Sequence, residues 1–504
     1  MAGVAWASDT APKGHTRDGS GKPRGATRDP AHTRAWRCLG RGLGSAAVRP
    51  LLLRFFLVAI GVTVVASALQ AATSPVLVVE QTLVASPAEP RAMGVQLARS
   101  AQGQIAAIWY DLANPDRPAV RAAFLDGEAL RWKQRVTVFS GEGVVTNPYN
   151  TATIALGGAG EAAALWYTAS SGEPGASTIG WVSRTLDQGA SWSAPERLAV
   201  HSHYQDFAAL TVLPNGDVLA AWLDGRAKPV TGHGHGHKGH AETEADTGSQ
   251  QLYARRLFTG DDELRVDPRV CDCCPVSLVT FDDGTALAAY RDRSDAEIRD
   301  HATARWRNGA WEKPVRLSHE EWEIRGCPVN GPSMARHGNH TIVAWFSGAK
   351  GQPAVYVSTS TNAGEPFLVA APVDDGAPVG QVGTAMTRDG TGYVSWMERA
   401  PGSDQLYLQL RRLSPDGTRS VPVRLATLPA SSRRSIPRLC LLDEVPGGGH
   451  RLLVAYVSDE TGMPLVVTRL VTAQAPQPTG SPCATCPPAG ARTPDARGAA
   501  APRP

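Results

Sequence analysis

Charge of one sign is what this chain most lacks. Its 504 residues carry 50 Lys and Arg against 47 Asp and Glu, a net charge of +3. Residues 1–54 alone hold ten Lys or Arg against three Asp, so the rest is near neutral and no nucleic-acid surface is expected. Long apolar runs are also scarce. The run Phe55–Leu69 covers about 15 residues, where a membrane span needs about 20. It follows Arg49 and Arg54 and contains the small-residue cleavage site Ala66-Ser-Ala68, so residues 50–71 read as an export signal, with an uncleaved N-terminal anchor as the alternative. No Cys directly follows that run, so no lipoprotein anchor is expected. Residues 1–49 are polar and Gly- and Arg-rich, which suits an unstructured extension or a start site placed too far upstream. With 19% charged and 42% hydrophobic residues, the remainder should bury a core rather than stay disordered.

What the chain has is a repeat. Seven short apolar runs end in Trp or Tyr, at Trp109, Trp166, Trp222, Tyr290, Trp345, Trp396 and Tyr456, spaced 57, 56, 68, 55, 51 and 60 residues apart. A period this long, built from strand-like pieces, predicts an all-β β-propeller over residues 75–472. Each unit divides into four strands, A to D, from the axis outward. Gly-containing A–B turns such as Asn215-Gly-Asp217 supply the hairpin chemistry. The seventh unit runs out after its third strand, and the alternating stretch Val76–Val84 is available to complete it. We therefore expect seven blades, with six as the alternative, and a ring closed from both ends. Residues 473–504 are Pro- and Ala-rich and expected to be disordered; they include Cys483 and Cys486.

In a four-stranded blade the D–A and B–C connections share one face, and the unusual residues fall there. The D–A segments supply Asn147 and Tyr149, then His201, His203, Tyr204 and Asp206, then Cys271, Cys273 and Cys274, then Cys327. The B–C loops supply Arg226, Arg291 and Arg293, and a 68-residue spacing accommodates an insertion carrying His233, His235, His237 and His240. Convergence of such groups at one channel mouth predicts a functional site. Three readings of the cysteines stay open. Cys327 could form a disulfide with Cys271, Cys273 or Cys274. The cysteines could ligate copper or zinc with His201, His203 and the His-rich loop. Free, redox-active thiols are the third reading. Removing residues 1–71 leaves seven cysteines, an odd number, so not all can pair within the chain. The three arginines could grip an anion, or only brace their loop against Asp292, Asp295, Glu297 and Asp300.

Thr185, Asp187, Gly189, Ser191 and Trp192 match the pattern S/T-x-D-x-G-x-S/T-W, and Ser360, Asn362, Gly364 and Phe367 a weakened copy. This motif resembles the Asp box of the sialidase superfamily. The stretches Cys271–Pro275, Tyr290–Ser294 and Cys327–Pro332 are similar to those of exported bacterial sialidase-like proteins. The resemblance implies a propeller that acts on or binds a glycan or another anionic ligand on the face of blades two to five. If an enzyme, it would be an exo-glycosidase, with Arg226, Arg291 and Arg293 holding an anionic sugar and Asp206, Tyr149 and Tyr204 supplying acid and nucleophile. Sialidases carry Arg-Ile-Pro near the first blade. Here that place reads Arg91-Ala-Met-Gly, which counts against sialoside hydrolysis. The alternative is a non-enzymatic periplasmic or secreted propeller that binds copper, zinc or a protein partner through its Cys/His mouth, with membrane contact only if the N-terminal run is retained.

Overall fold

The computed structural model describes residues 75–474, except 159, 172–176, 229–248 and 460–461. The N-terminal extension, residues 50–71 expected to be an export signal, Cys38, the His-rich insertion with His233, His235, His237 and His240, and the C-terminal stretch with Cys483 and Cys486 lie outside the described residues. No described helix is long and apolar enough to cross a membrane.

Seven antiparallel sheets follow one another in the chain, which settles the blade count at seven. Blade one is typical, with strand A at Ala92–Arg99, B at Ile105–Asp111 and C at Ala119–Asp126. Its strand D is broken into Arg131–Trp132 and Val136–Ser140. The outer strands of other blades are shorter still: Glu196–Arg197 in blade two and Ala371–Pro372 in blade five. Pro195 lies beside, and Pro372 within, these outer strands. A residue without an N–H cannot extend a ladder and is confined to edges.

Blade seven is built from both ends of the fold. Strands Arg438–Val445, Gly449–Ser458 and Leu465–Ala473 are completed by Val79–Val84, which pairs antiparallel from Val79 opposite Ala473 to Val84 opposite Thr468. The Thr468 hydroxyl also donates to the Val84 carbonyl (3.0 Å). Closure leaves no open sheet edge between the first and last blades.

Why each anchor run is apolar on both sides is clear from the packing. Strand B lies second from the axis, and both its faces meet a neighbouring sheet, so period-two alternation gives way to a continuous apolar run. All seven anchors are within 2% of complete burial. The core is accordingly a ring of separate layers between blades rather than one centre. Trp166 lies in the layer between blades one and two, with Ile108, Phe124 and Ile154, and stacks on Phe139 at 5.1 Å. Trp166→Ala should cost about 3–5 kcal/mol of stability, measured by urea unfolding, because a cavity of indole size cannot collapse between two rigid sheets.

The Asp-box residues form the C–D turn of blade two. Asp187 accepts from the Ser191 hydroxyl (2.6 Å), the Ser191 amide (2.9 Å) and the Thr185 hydroxyl (2.7 Å), while Thr185 Oγ1 accepts from the Gly189 amide (2.9 Å). The Ser191 bonds foremost hold the Asp187 carboxyl down at about 2. Gly189 has φ +83°, and a Cβ there would stand 2.9 Å from Val136, so the turn needs glycine to lie against blade one. Trp192 packs on the same inter-blade layer as Trp166. The degenerate copy closes similarly, Ser360 Oγ accepting from the amides of Asn362 and Gly364 (both 3.1 Å). These turns place the C–D connections, and therefore assign the D–A and B–C connections to the opposite face.

Candidate metal centre

On that opposite face the D–A segment of blade four turns back on itself. Strand D of blade three ends at Val270, and the Cys271 amide donates to the Arg291 carbonyl (3.0 Å). Asp272 pins the turn. Its carboxylate accepts from the Gln250 amide (2.7 Å) and Arg293 Nη1 (2.9 Å), and pairs with Lys228 at 3.2 Å. The turn folds Cys273 and Cys274 back over Cys271. Cys271 Sγ stands 3.9 Å from Cys273 Sγ and 3.7 Å from Cys274 Sγ, and the three sulfurs lie within 4.8 Å of one another. All three are buried, with Phe207 and Val329 packed against them. Cys327, in the exposed D–A segment of blade five, lies near enough for Cys273 to lower its thiol. The two segments approach closely at Gly331, where a Cβ would stand 2.2 Å from the Pro275 carbonyl oxygen.

None of these sulfurs is at the roughly 2.05 Å of a disulfide, and the five described cysteines are all free. The disulfide expectation thus gives way to a cluster of thiols. Two cations flank it: Arg299 Nη1 is 3.5 Å from Cys271 Sγ, and Arg291 lies close enough to lower the same thiol. Hydrogen bonds from Cys273 and Cys274 do most to lower the Cys271 thiol well below its usual range, with the two arginines adding to it against the cost of burial. Those same bonds raise Cys273, while burial chiefly lifts Cys274 to about 12.

His201 and His203 do not join it. The His201 amide is turned to Glu263 (3.2 Å) with its ring exposed, and His203 is half-buried. Among the described residues, the only group of His, Cys, Asp and Glu close enough to share an ion is Cys271, Cys273 and Cys274.

The arginines are spent within the protein. Arg291 is 1% exposed and donates to the carbonyls of Asn330 (2.8 Å), Arg299 (2.7 Å) and Phe346 (2.8 Å), with its guanidinium over Trp322. It staples three segments and is closed to any ligand. Arg293 pairs with Glu297 (2.6 Å) and Asp272, and Arg269 with Asp295 (3.4 Å). Arg226 is held by Asp224 (2.8 Å) and Glu263 and lies 3.8 Å over the Tyr253 ring. The bracing arrangement, not an anion grip, is what these side chains make. Arg299, Asp272 and Asn330, which do most to shape the mouth, were not singled out in the sequence. Arg299 ends the same charged loop as Arg291, which was the available signal.

Tyr204 and Asp206 do come together. The buried Asp206 carboxylate accepts from Asn150 and Thr178, with Tyr204 beside it. Tyr149 caps an Asn147 turn and lines the central channel, a cavity of about 880 Å3 between the A strands. Burial above all lifts the Asp206 carboxyl to about 6, against the lowering by its hydrogen-bond donors and Lys228. Unfolded, the group titrates near 3.9. The folded chain thus holds the proton more tightly, a contribution present below pH about 4 and lost as pH rises through 6. It amounts to about 3 kcal/mol. The stability of the native chain minus that of Asp206→Asn should fall by this amount between pH 4 and pH 7 in urea titrations; a flat difference would contradict the assignment.

No family model matches the chain, and no curated protein matches it. Solved propellers do resemble it in architecture. A protein of unknown function from Dyadobacter fermentans DSM 18053 is 13% identical, with 79% of this chain and 99% of that one covered and a TM-score of 0.42. The polysaccharide lyase Uly1 is 10% identical over 74% of this chain and 88% of its own, at 0.43. The NanB sialidase from Streptococcus pneumoniae is 8% identical over 79% and 94%, at 0.36. None of these likenesses carries an argument about what this chain does.

Proposed function

We propose that this is an exported propeller that holds a thiophilic metal ion, copper(I) or zinc, at its channel mouth. One observation carries the reading: three buried thiols within 4.8 Å of one another, with two arginines beside them. Thiols packed together are weak hydrogen-bond partners for one another. A cation that displaces their protons gains three soft anionic ligands. The ligand count separates the candidate ions. Copper(I) is satisfied by Cys271, Cys273 and Cys274, whereas structural zinc asks for four ligands and would need Cys327 as well. The flanking Arg291 and Arg299 offset the excess negative charge of either thiolate set. A protein that delivers or receives the ion is the partner this reading calls for. Export rests on the residue 50–71 signal and supplies the compartment.

The glycan reading depended on Arg226, Arg291 and Arg293 being free to grip an anion, and their donors are occupied. It keeps the Tyr204–Asp206 pair and the fold, which alone do not favour it.

The test is an anaerobic titration of the full chain with Cys38, Cys483 and Cys486 changed to Ser, so that the tail thiols do not compete. One equivalent of copper(I) should be retained against a chelating competitor, with zinc retention depending on Cys327. Failure to retain either ion while the mouth thiols remain fully reduced would refute the reading.

A further inference from the structure

A second cavity on the mouth face has no part in the thiol centre. It has a volume of about 670 Å3 and lies between blades seven and one, with the D–A segment of blade two at its side. Most of its wall is apolar, from Met93, Val95, Ile436 and Val457. Among the described residues, one cationic side chain reaches it. Arg438 opens strand A of blade seven and lines both this cavity and the central channel.

Arg438 is unlike every arginine around the thiols. Arg226, Arg291, Arg293 and Arg299 each spend their donors on carboxylates or carbonyls. The Arg438 Nε is shielded from solvent and has no hydrogen-bond partner, and no described acid acts on its guanidinium. Asp459, the acid in the cavity wall, is engaged instead by the Ser432 hydroxyl (2.8 Å). Arg438 is half-buried, and a donor such as its Nε, cut off from water without a partner, is costly to leave unpaired. Burial alone draws the Arg438 guanidinium down to about 10, with no acid acting against it.

We propose that this cavity binds a small organic carboxylate, with Arg438 taking the carboxylate group and the apolar wall taking the body of the ligand. The guanidinium fork suits two parallel hydrogen bonds to one carboxylate. Thr146 and Ser431, also in the wall, are placed for further polar contacts. Desolvated surroundings strengthen the pairing, while Met93, Val95, Ile436 and Val457 favour a ligand with an apolar flank over a bare inorganic anion.

Binding of benzoate to the full chain, followed by calorimetry beside benzamide and sulfate, tests this. Benzoate should bind, and the isosteric but uncharged benzamide at least tenfold more weakly. Sulfate, which leaves the apolar wall empty, should also bind at least tenfold more weakly. Arg438→Gln should lower benzoate affinity at least tenfold, with Arg438→Lys between the two. Ligand-free Arg438→Met should be as stable as the native chain or more so, because it removes an unpaired charge. Equal benzoate affinity in native and Arg438→Gln protein, or no benzoate binding at millimolar concentration, would overturn the proposal. So would a marked loss of stability in Arg438→Met, which would make Arg438 a structural brace.

Discussion

Cys271→Ser is expected to lower copper(I) affinity by at least about 100-fold, the range in which even supporting residues of metal sites act. Cys271 is the hub of the cluster. It is fully buried, its sulfur is nearest to both other thiols, and it faces Arg299 at 3.5 Å. Serine nearly matches its shape but cannot ionise at neutral pH, so the variant should fold and lose the ion. Cys440→Ser is the control. Cys440 is buried in an apolar layer between blades seven and one, and burial raises its thiol to about 12. Its loss should leave copper affinity within about twofold. Competition titration of both variants decides the matter, and equal effects from the two would remove Cys271 from the centre.

Deleting Pro75–Ala85 should have the largest effect on stability. The segment supplies six residue pairs to blade seven, and Leu77 within it is 5% exposed in the layer between blades six and seven. Hydrogen bonds contribute about 1 kcal/mol each net, and burying one large aliphatic side chain about 2 kcal/mol. A loss of roughly 5 kcal/mol is expected, with aggregation through the strand Leu465–Ala473 left at an open edge. Urea unfolding by circular dichroism measures the loss, and light scattering the aggregation. Unchanged stability would mean that the ring does not depend on closure through blade seven.

The architecture was legible because it is repetitive. Seven aromatic anchors, each ending a run buried on both faces, set the period, and the unfinished seventh unit pointed to Val76–Val84 as the missing strand. The face was legible too, since the Asp-box turn assigns the C–D connections and leaves the cysteines on the other side. What side chains do on that face was not. Arg291 and Arg226 read alike in sequence, yet one is walled in among carbonyls and the other tied to Asp224 and Glu263. Which donor meets which acceptor depends on loops from different blades, and no spacing encodes that. His201 and His203 shared a face with the cysteines but not a site. Arg438 was overlooked because it lies at the start of an ordinary strand, where only the cavity beside it reveals the lack of a partner.

X-ray absorption at the metal edge of the loaded full chain reads the ligands of the bound ion themselves. Sulfur alone should surround the ion: three sulfurs around copper(I), or four around zinc at about 2.3 Å once Cys327 joins. A first shell of nitrogen and oxygen would place the ion on histidines such as those of the His-rich insertion and contradict a thiolate centre at the propeller mouth.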